Sequence, residues 1–279
     1  MKKIIAAFDG LKYAQSTRDY AIDLAKQTDT HLVGVFMDDR TYTSYKIYEL
    51  IAKEGVSETR INKLESKDQA TRMEAAKDFE KSCGKAGIQH SIHHDRNIAL
   101  QELKHESIYA DLLIIDARET LTHYTEKLPT RFIRDLLSET QCPVLVVPQQ
   151  YKPIDKVIFL YDGEPSSVYA IKMFSYLMPE LSNLEIEAIT VNSFNKDLHI
   201  PDNKLMKEFM KRHHPGVKIT VSKGFAEDEI VKLLKQVNKN AIVVLGAYRR
   251  GQVSRWFRES MADTLMKEVK LPLFIAHNK

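Results

Sequence analysis

Short, nearly continuous apolar runs alternate along this chain with longer segments of mixed polarity. The runs fall at residues 3–8, 31–37, 88–94, 111–115 and 144–147, and again at 156–161, 184–191, 217–222, 241–245 and 273–276. Strands buried on both faces read as unbroken apolar runs, and helical segments between them imply a parallel sheet closed by crossovers. The pattern therefore predicts an α/β protein.

The same pattern repeats. KKIIAAFDG at 2–10 returns as DKVIFLYDG at 155–163, ADLLIIDARE at 110–119 as NAIVVLGAYR at 240–249, and QCPVLVVP at 141–148 as KLPLFIAH at 270–277. Anchors recurring in one order mark a duplicated supersecondary plan. Between the copies lies PQQYKP, 148–153, whose prolines oppose any bridging helix or strand. The expected organisation is two tandem doubly wound domains, 1–150 and 151–279, each a five-stranded parallel sheet of order 3-2-1-4-5. Pro165, Ser166 and Ser167 suit a first helical turn, and Ser57 can cap the charged helix that ends at Gly84 and Gly87. The copies differ after their second strands: the first carries a long segment with Tyr42, Tyr45 and Tyr48, read as a half-buried helix or else a lid or partner surface.

Composition narrows the class without naming a function. The 279 residues are 43% apolar and 28% charged, the balance of a globular protein able to bury a full core. Lysine and arginine total 41 against 38 acidic residues, a net charge of +3 without the basic bias of a nucleic-acid binder. Cys83 and Cys142 stand far apart with no metal-ligand spacing, which argues for structural thiols in a reducing cytoplasm. The apolar start of MKKIIAAFDG is broken by Asp9, so it reads as a strand rather than a signal peptide, and no run approaches a membrane span. A soluble cytoplasmic protein, touching neither membrane nor nucleic acid, is expected.

Ligands of open parallel sheets sit at the carboxyl ends of the strands. Candidates there are Asp9-Gly10, Phe36 to Asp38 and Asp116 to Glu119 in the first copy, with Asp162-Gly163, Val191-Asn192 and the loop from Gly246 in the second. Asp9 and Asp162 can accept from an adenine amino group or ribose hydroxyl; equally, they can cap helix N-termini.

On these residues the chain resembles a tandem member of the universal stress protein family, over essentially its whole length and once per half. Nucleotide-binding members carry Gly-x-x-Gly, nine further residues, then Gly followed by Ser or Thr, after the fourth strand. Glycines let backbone N–H groups close on phosphate oxygens, and the hydroxyl adds a donor at the following helix. The second half keeps Gly246, places Arg249 and Glu259 at the next two glycine positions, and retains Ser260; the first half has Asp116, Glu119 and Pro129, with Thr130 retained. Asp116 and Glu119 would oppose phosphate by charge, and Pro129 lacks the N–H. Arg249, Arg250, Arg255 and Arg258 offer side-chain anion binding instead, with Gly251 close to the missing glycine.

The resemblance thus implies a stress-response binding and interaction module with degenerate nucleotide loops. The alternative is a sensor of ATP, AMP or another phosphorylated metabolite on Asp162, Gly163, Val191, Gly246, Arg249, Arg250, Gly251 and Ser260, with Asp9, Gly10 and Thr130 as the secondary set. It also implies edge pairing: the fifth strands pair within one chain, and chains assemble into a homodimer. No catalytic residue is assigned, and slow ATP hydrolysis lacks an identifiable base. GxSxG, the P-loop and GxGxxG are absent. His90 and His94 share one face of an edge strand and His93 takes the other; no metal site is predicted. Trp256 and Phe257 are read as core or as a contact anchor.

Overall fold

A computed structural model describes residues 1–37, 58–95, 98–122, 124–194, 198–247 and 260–277. The chain forms two compact units, Lys2–Cys142 and Pro143–Lys279.

The first unit begins with β1 (Lys3–Asp9), α1 (Gln15–Thr28) and β2 (His31–Met37), continues through α2 (Glu58–Ala86), β3 (His90–Asp95) and α3 (Ala99–Ile108), and ends with β4 (Leu112–Asp116) and α4 (Arg131–Glu139). Its strands are parallel in the order β3-β2-β1-β4, in register at Ile4↔Leu32, Ile4↔Leu112 and Leu32↔His90. Every residue from Ile4 to Asp9 and from Leu112 to Asp116 is buried, as continuous apolar strands between helical layers should be. Phe8 stacks on Phe36 at 5.1 Å and meets Phe79 of α2 edge-on at 5.5 Å, forming the aromatic centre of this core.

The second unit contains β5 (Val144–Val147), β6 (Lys156–Leu160), α5 (Pro165–Leu177), β7 (Glu185–Asn192), α6 (Asn203–His213), β8 (Lys218–Lys223), α7 (Ala226–Lys235), β9 (Ala241–Gly246), α8 (Met261–Glu268) and β10 (Leu273–Ala276). Its parallel strands run β8-β7-β6-β9-β10, the 3-2-1-4-5 order of the repeat. Pro165 opens α5 at its first position, as expected of a residue lacking an N–H. Phe159, Phe174 and Phe274 form the corresponding aromatic core, with centroid separations of 5.6 and 5.5 Å.

β5 ends the first repeat in sequence yet belongs to the second compact unit. It pairs antiparallel with β10 through Leu273↔Val146 and Ile275↔Val144. The two repeat-ending strands thus pair within one chain, and the compact division falls at Pro143 rather than near 150. No regular element occupies the proline-bearing stretch 148–153.

Candidate functional site

The carboxyl ends of β1 and β4 in the first unit gather three buried acids: Asp9, Asp116 and Glu119 are 2%, 4% and 6% exposed. Asp9 does not cap α1, whose N-cap is Ala14. Its Oδ1 accepts from Leu11 N at 2.8 Å, an Asx turn, while Oδ2 is buried with no partner among the described residues. Burial raises the Asp9 pKa above the usual carboxylate range, against the pull of Arg72 and Lys12. Gly10 lies against the Arg72 side chain, whose guanidinium donates to Met37 O at 2.9 Å. Asp116 accepts from Arg118 N at 2.7 Å and from the Arg118 guanidinium at 3.1 and 3.0 Å.

Glu119 does something the family frame did not foretell. Its Oε1 accepts from Thr120 N at 2.9 Å and Leu121 N at 3.0 Å, so the carboxylate occupies backbone donors of its own loop. Desolvation first, then the charges of Asp9 and Asp116, push its pKa up to about 7. Leu121 is held left-handed at φ 49°, a conformation costing about 1 kcal/mol without glycine. Lys12 donates to Thr122 O and Thr120 Oγ1, tying the loop to the end of β1. Pro129, joined to Leu128 by a cis peptide bond, precedes Thr130. Thr130 is fully buried and doubly committed: its hydroxyl donates to Glu119 O at 2.5 Å and accepts from Ile133 N at 3.2 Å as the N-cap of α4.

The second unit treats the same positions differently. β6 lies between β7 and β9, so Asp162 follows the strand flanked by those ending at Val191-Asn192 and Gly246. Asp162 is exposed; its Oδ1 accepts from Glu164 N at 2.9 Å, and Glu164, not Asp162, occupies the N-cap position of α5, with no side-chain cap bond. Val191 and Gly246 are half-buried. A Cβ on Gly246 would stand 2.4 Å from the Ser166 carbonyl carbon and 2.7 Å from Ser167 N, so glycine here lets the start of α5 rest on the end of β9. Gly163 takes φ 86°, and its missing Cβ leaves room for Pro201. The segment at 199–202 is fastened over these strand ends: Tyr161 OH donates to Pro201 O at 3.1 Å and Asn192 Nδ2 to His199 O at 2.8 Å. Ser260 caps α8 through a capping box with Asp263, at 3.2 and 3.4 Å.

Asp162, Gly163, Val191 and Gly246 therefore sit at neighbouring strand ends, and Ser260 starts the next helix. Arg249, Arg250, Gly251, Arg255, Trp256, Phe257, Arg258 and Glu259 lie outside the described residues, as do Asp38, Tyr42, Tyr45, Tyr48 and Ser57.

Elsewhere, the edge-strand histidines divide between faces as the alternation predicts. His90 and His94 meet the rings of Phe79 and Phe36, whereas His93 pairs with Glu106 at 2.5 Å. Among the described residues no group of three or more His, Cys, Asp or Glu can hold a metal ion. Cys83 and Cys142 are buried free thiols, and burial pushes Cys83 up to about 12, leaving it unreactive. Phe194 and Phe225, both largely exposed, pack edge-on at 5.8 Å beyond β7 and β8.

Parallel strands in the 3-2-1-4-5 order, with acidic residues and glycines at their carboxyl ends, define the nucleotide-type α/β class. The Universal stress protein family profile matches residues 1–148, more than half of the chain, and the chain belongs to that family. A universal stress protein, Slr1230, from Synechocystis is 22% identical, the alignment covering 98% of this chain and 99% of the relative. The crystal structure of a universal stress protein from Archaeoglobus fulgidus superposes with a TM-score of 0.74 at 14% identity, covering 99% of this chain and 98% of that one. A putative universal stress protein from Pseudomonas aeruginosa gives 0.60 at 13% identity, covering 99% and 92%. These solved structures share the fold over both repeats. No helix among the described residues is long and apolar enough to cross a membrane.

Proposed function

We propose that this universal stress protein acts in the cytoplasm as a stress-response association module, two tandem copies at 1–150 and 151–279, independent of bound nucleotide. One observation carries the reading: in the first unit the Thr130 hydroxyl, the one donor of the family frame retained there, is already committed to Glu119 O and Ile133 N, and the Thr120 and Leu121 N–H groups of the same loop are engaged by the Glu119 carboxylate. A triphosphate would have to displace an internal carboxylate beside two more acids. The exposed Phe194 and Phe225 pair is apolar surface of the kind through which such a module associates. Assembly into a homodimer belongs to this proposal.

A second reading has its own support. In the second unit Asp162 is exposed and Gly246 is kept, so an adenine nucleotide or phosphorylated metabolite would meet less obstruction there, with Arg249, Arg250, Gly251 and Ser260 as its anion contacts. Against it stands Pro201, packed on Gly163.

Thermal-shift titration separates the two. The association reading expects an unchanged melting temperature with millimolar ATP, ADP and AMP, because a ligand selective for the native state must stabilise it. A rise abolished by Arg249→Ala would establish the second reading. Affinity capture from stressed and unstressed cells tests the first directly, and recovery of no partner under starvation or oxidative stress leaves it empty.

A further inference from the structure

One edge of the second unit's sheet is open in a way that selects what can close it. β8 ends the strand order and, among the described residues, pairs only with β7. Gly224 N donates to Asn192 O at 3.0 Å, and along a parallel strand successive residues turn their N–H and C=O groups to opposite sides. Thr220 and Ser222 therefore face β7, whereas Ile219, Val221 and Lys223 direct their backbone N–H and C=O groups away from the sheet. No side chain of β8 is buried. Just past its end, Phe194 and Phe225 pack on each other while 64% and 71% exposed.

We propose that this edge takes an acidic extended segment of a partner protein as an added strand, its backbone bonded to Ile219, Val221 and Lys223 and one apolar side chain seated on the Phe194 and Phe225 pair.

The shape of the occupant follows from the row of open donors and acceptors, which only another extended backbone matches in series. Its charge follows from the lysines. Lys218 and Lys223, both exposed, mark the two ends of the strand. Glu187 lies 3.8 Å from Lys218 but is held by Lys156 at 2.6 Å and Thr220 at 2.5 Å, so Lys218 is only weakly neutralised. Carboxylates on an incoming chain are attracted at both ends, whereas a second copy of β8 would add two more ammonium groups to one short seam. At about 3.3 Å per residue, a segment reaching from Lys218 to Phe225 needs about eight residues. The proposal rests on the association reading and names the class of its partner.

Panning a phage-displayed library of random ten-residue peptides on the full-length protein tests it. Enriched sequences should combine acidic residues with β-branched or aromatic ones. A synthetic copy of one should raise amide protection, read by NMR hydrogen exchange, at Ile219, Val221 and Lys223, while Thr220 and Ser222 stay unchanged. Val221→Pro deletes an outward N–H and no bond to β7, so it should weaken that peptide about tenfold with little change in melting temperature. Lys223→Glu should weaken it by a similar factor at low salt and by less at high salt. A library yielding no enriched sequence, or basic ones, overturns the proposal, as does protection gained away from β8. Should Val221→Pro not fold, undiminished binding in Lys223→Glu overturns it instead. A homodimer that dissociates in Val221→Pro would replace the peptide with a second copy. A partner captured from stressed cells and retained equally by both variants would leave the association reading standing and remove this edge from it.

Discussion

The carboxyl ends of β4 and β9 occupy one place in the repeat and treat the first glycine position of the motif differently. After β4 all three glycine positions carry other residues, and the loop fills its own crevice: Asp116 holds Arg118, Glu119 holds Thr120 and Leu121, and Thr130 ties back to Glu119. At β9 one glycine remains, and its role is packing, since the backbone of Ser166 and Ser167 sits where a side chain would go. The hydroxyl is kept in both loops, and in both it caps the following helix. A motif position can thus outlast its ligand when it also serves the fold.

The comparison extends to protons. Glu119, raised to about 7, favours the first unit at low pH; that stability is complete below the unfolded value near 4.5 and is lost as pH rises through 7. His214 in the second unit behaves oppositely. Ser175 Oγ donates to Ile171 O and meets His214 Nε2 at 2.7 Å, so Nε2 bears the hydrogen and Nδ1 is left buried without a partner among the described residues. Burial, then the charge of His213, lowers its pKa to about 4, so its contribution is present above 6.5 and lost as pH falls through 4.

Three comparisons sharpen or break this contrast. The largest effects come from pH: each group is expected to change the stability of its own unit by about 3 kcal/mol across its window, from the shift of about 2.5 units. Urea unfolding from about pH 4 to about pH 8, with exchange used to separate the units, should show opposing slopes, the first flattened in Glu119→Gln and the second in His214→Gln. Parallel slopes would end the comparison. Next, Gly246→Asp, which installs the first repeat's residue, should cost about 3 kcal/mol through overlap with Ser166. The reciprocal Asp116→Gly should cost only about 1 kcal/mol, because it gives up a partly exposed ion pair and one turn bond. Chemical denaturation of both variants checks the asymmetry. Of the two caps, Thr130→Ala should cost about 2 kcal/mol, since a fully buried hydroxyl loses both of its partners. Ser260→Ala should cost about 1 kcal/mol, as a partly exposed cap. Equal losses would show that the two hydroxyls are not differently embedded.

Most of the architecture was legible because it rests on burial, which composition reports directly. The apolar runs located the ten strands seen among the described residues within one or two residues, and Pro165 marked the start of α5. The site was legible only in outline. The strand-end rule pointed to Asp162, Val191 and Gly246, which do lie at neighbouring strand ends, yet nothing in it foretold that Glu119 is bonded to its own loop. That outcome depends on a left-handed leucine, for which the letters carry no signal. Likewise the clasp of Pro201 over Gly163 joins positions 38 residues apart, and His214 meets Ser175 across 39. Such contacts follow from tertiary packing rather than local pattern. The two aspartates after the first strands turned out to form Asx turns, a third option beside binding and capping.

The pairing of β5 with β10 bears on how the chain can be divided. Cutting at residue 150, where the repeat boundary suggests, would strip the carboxy-terminal fragment of Val144–Val147 and leave the rim formed by Leu273–Ala276 bare, a four-residue apolar ribbon open to any passing strand. Cutting before Pro143 keeps that rim covered. A fragment beginning there keeps both strands of the pair, so comparing the two fragments by size-exclusion chromatography isolates what Val144–Val147 contributes to covering that rim.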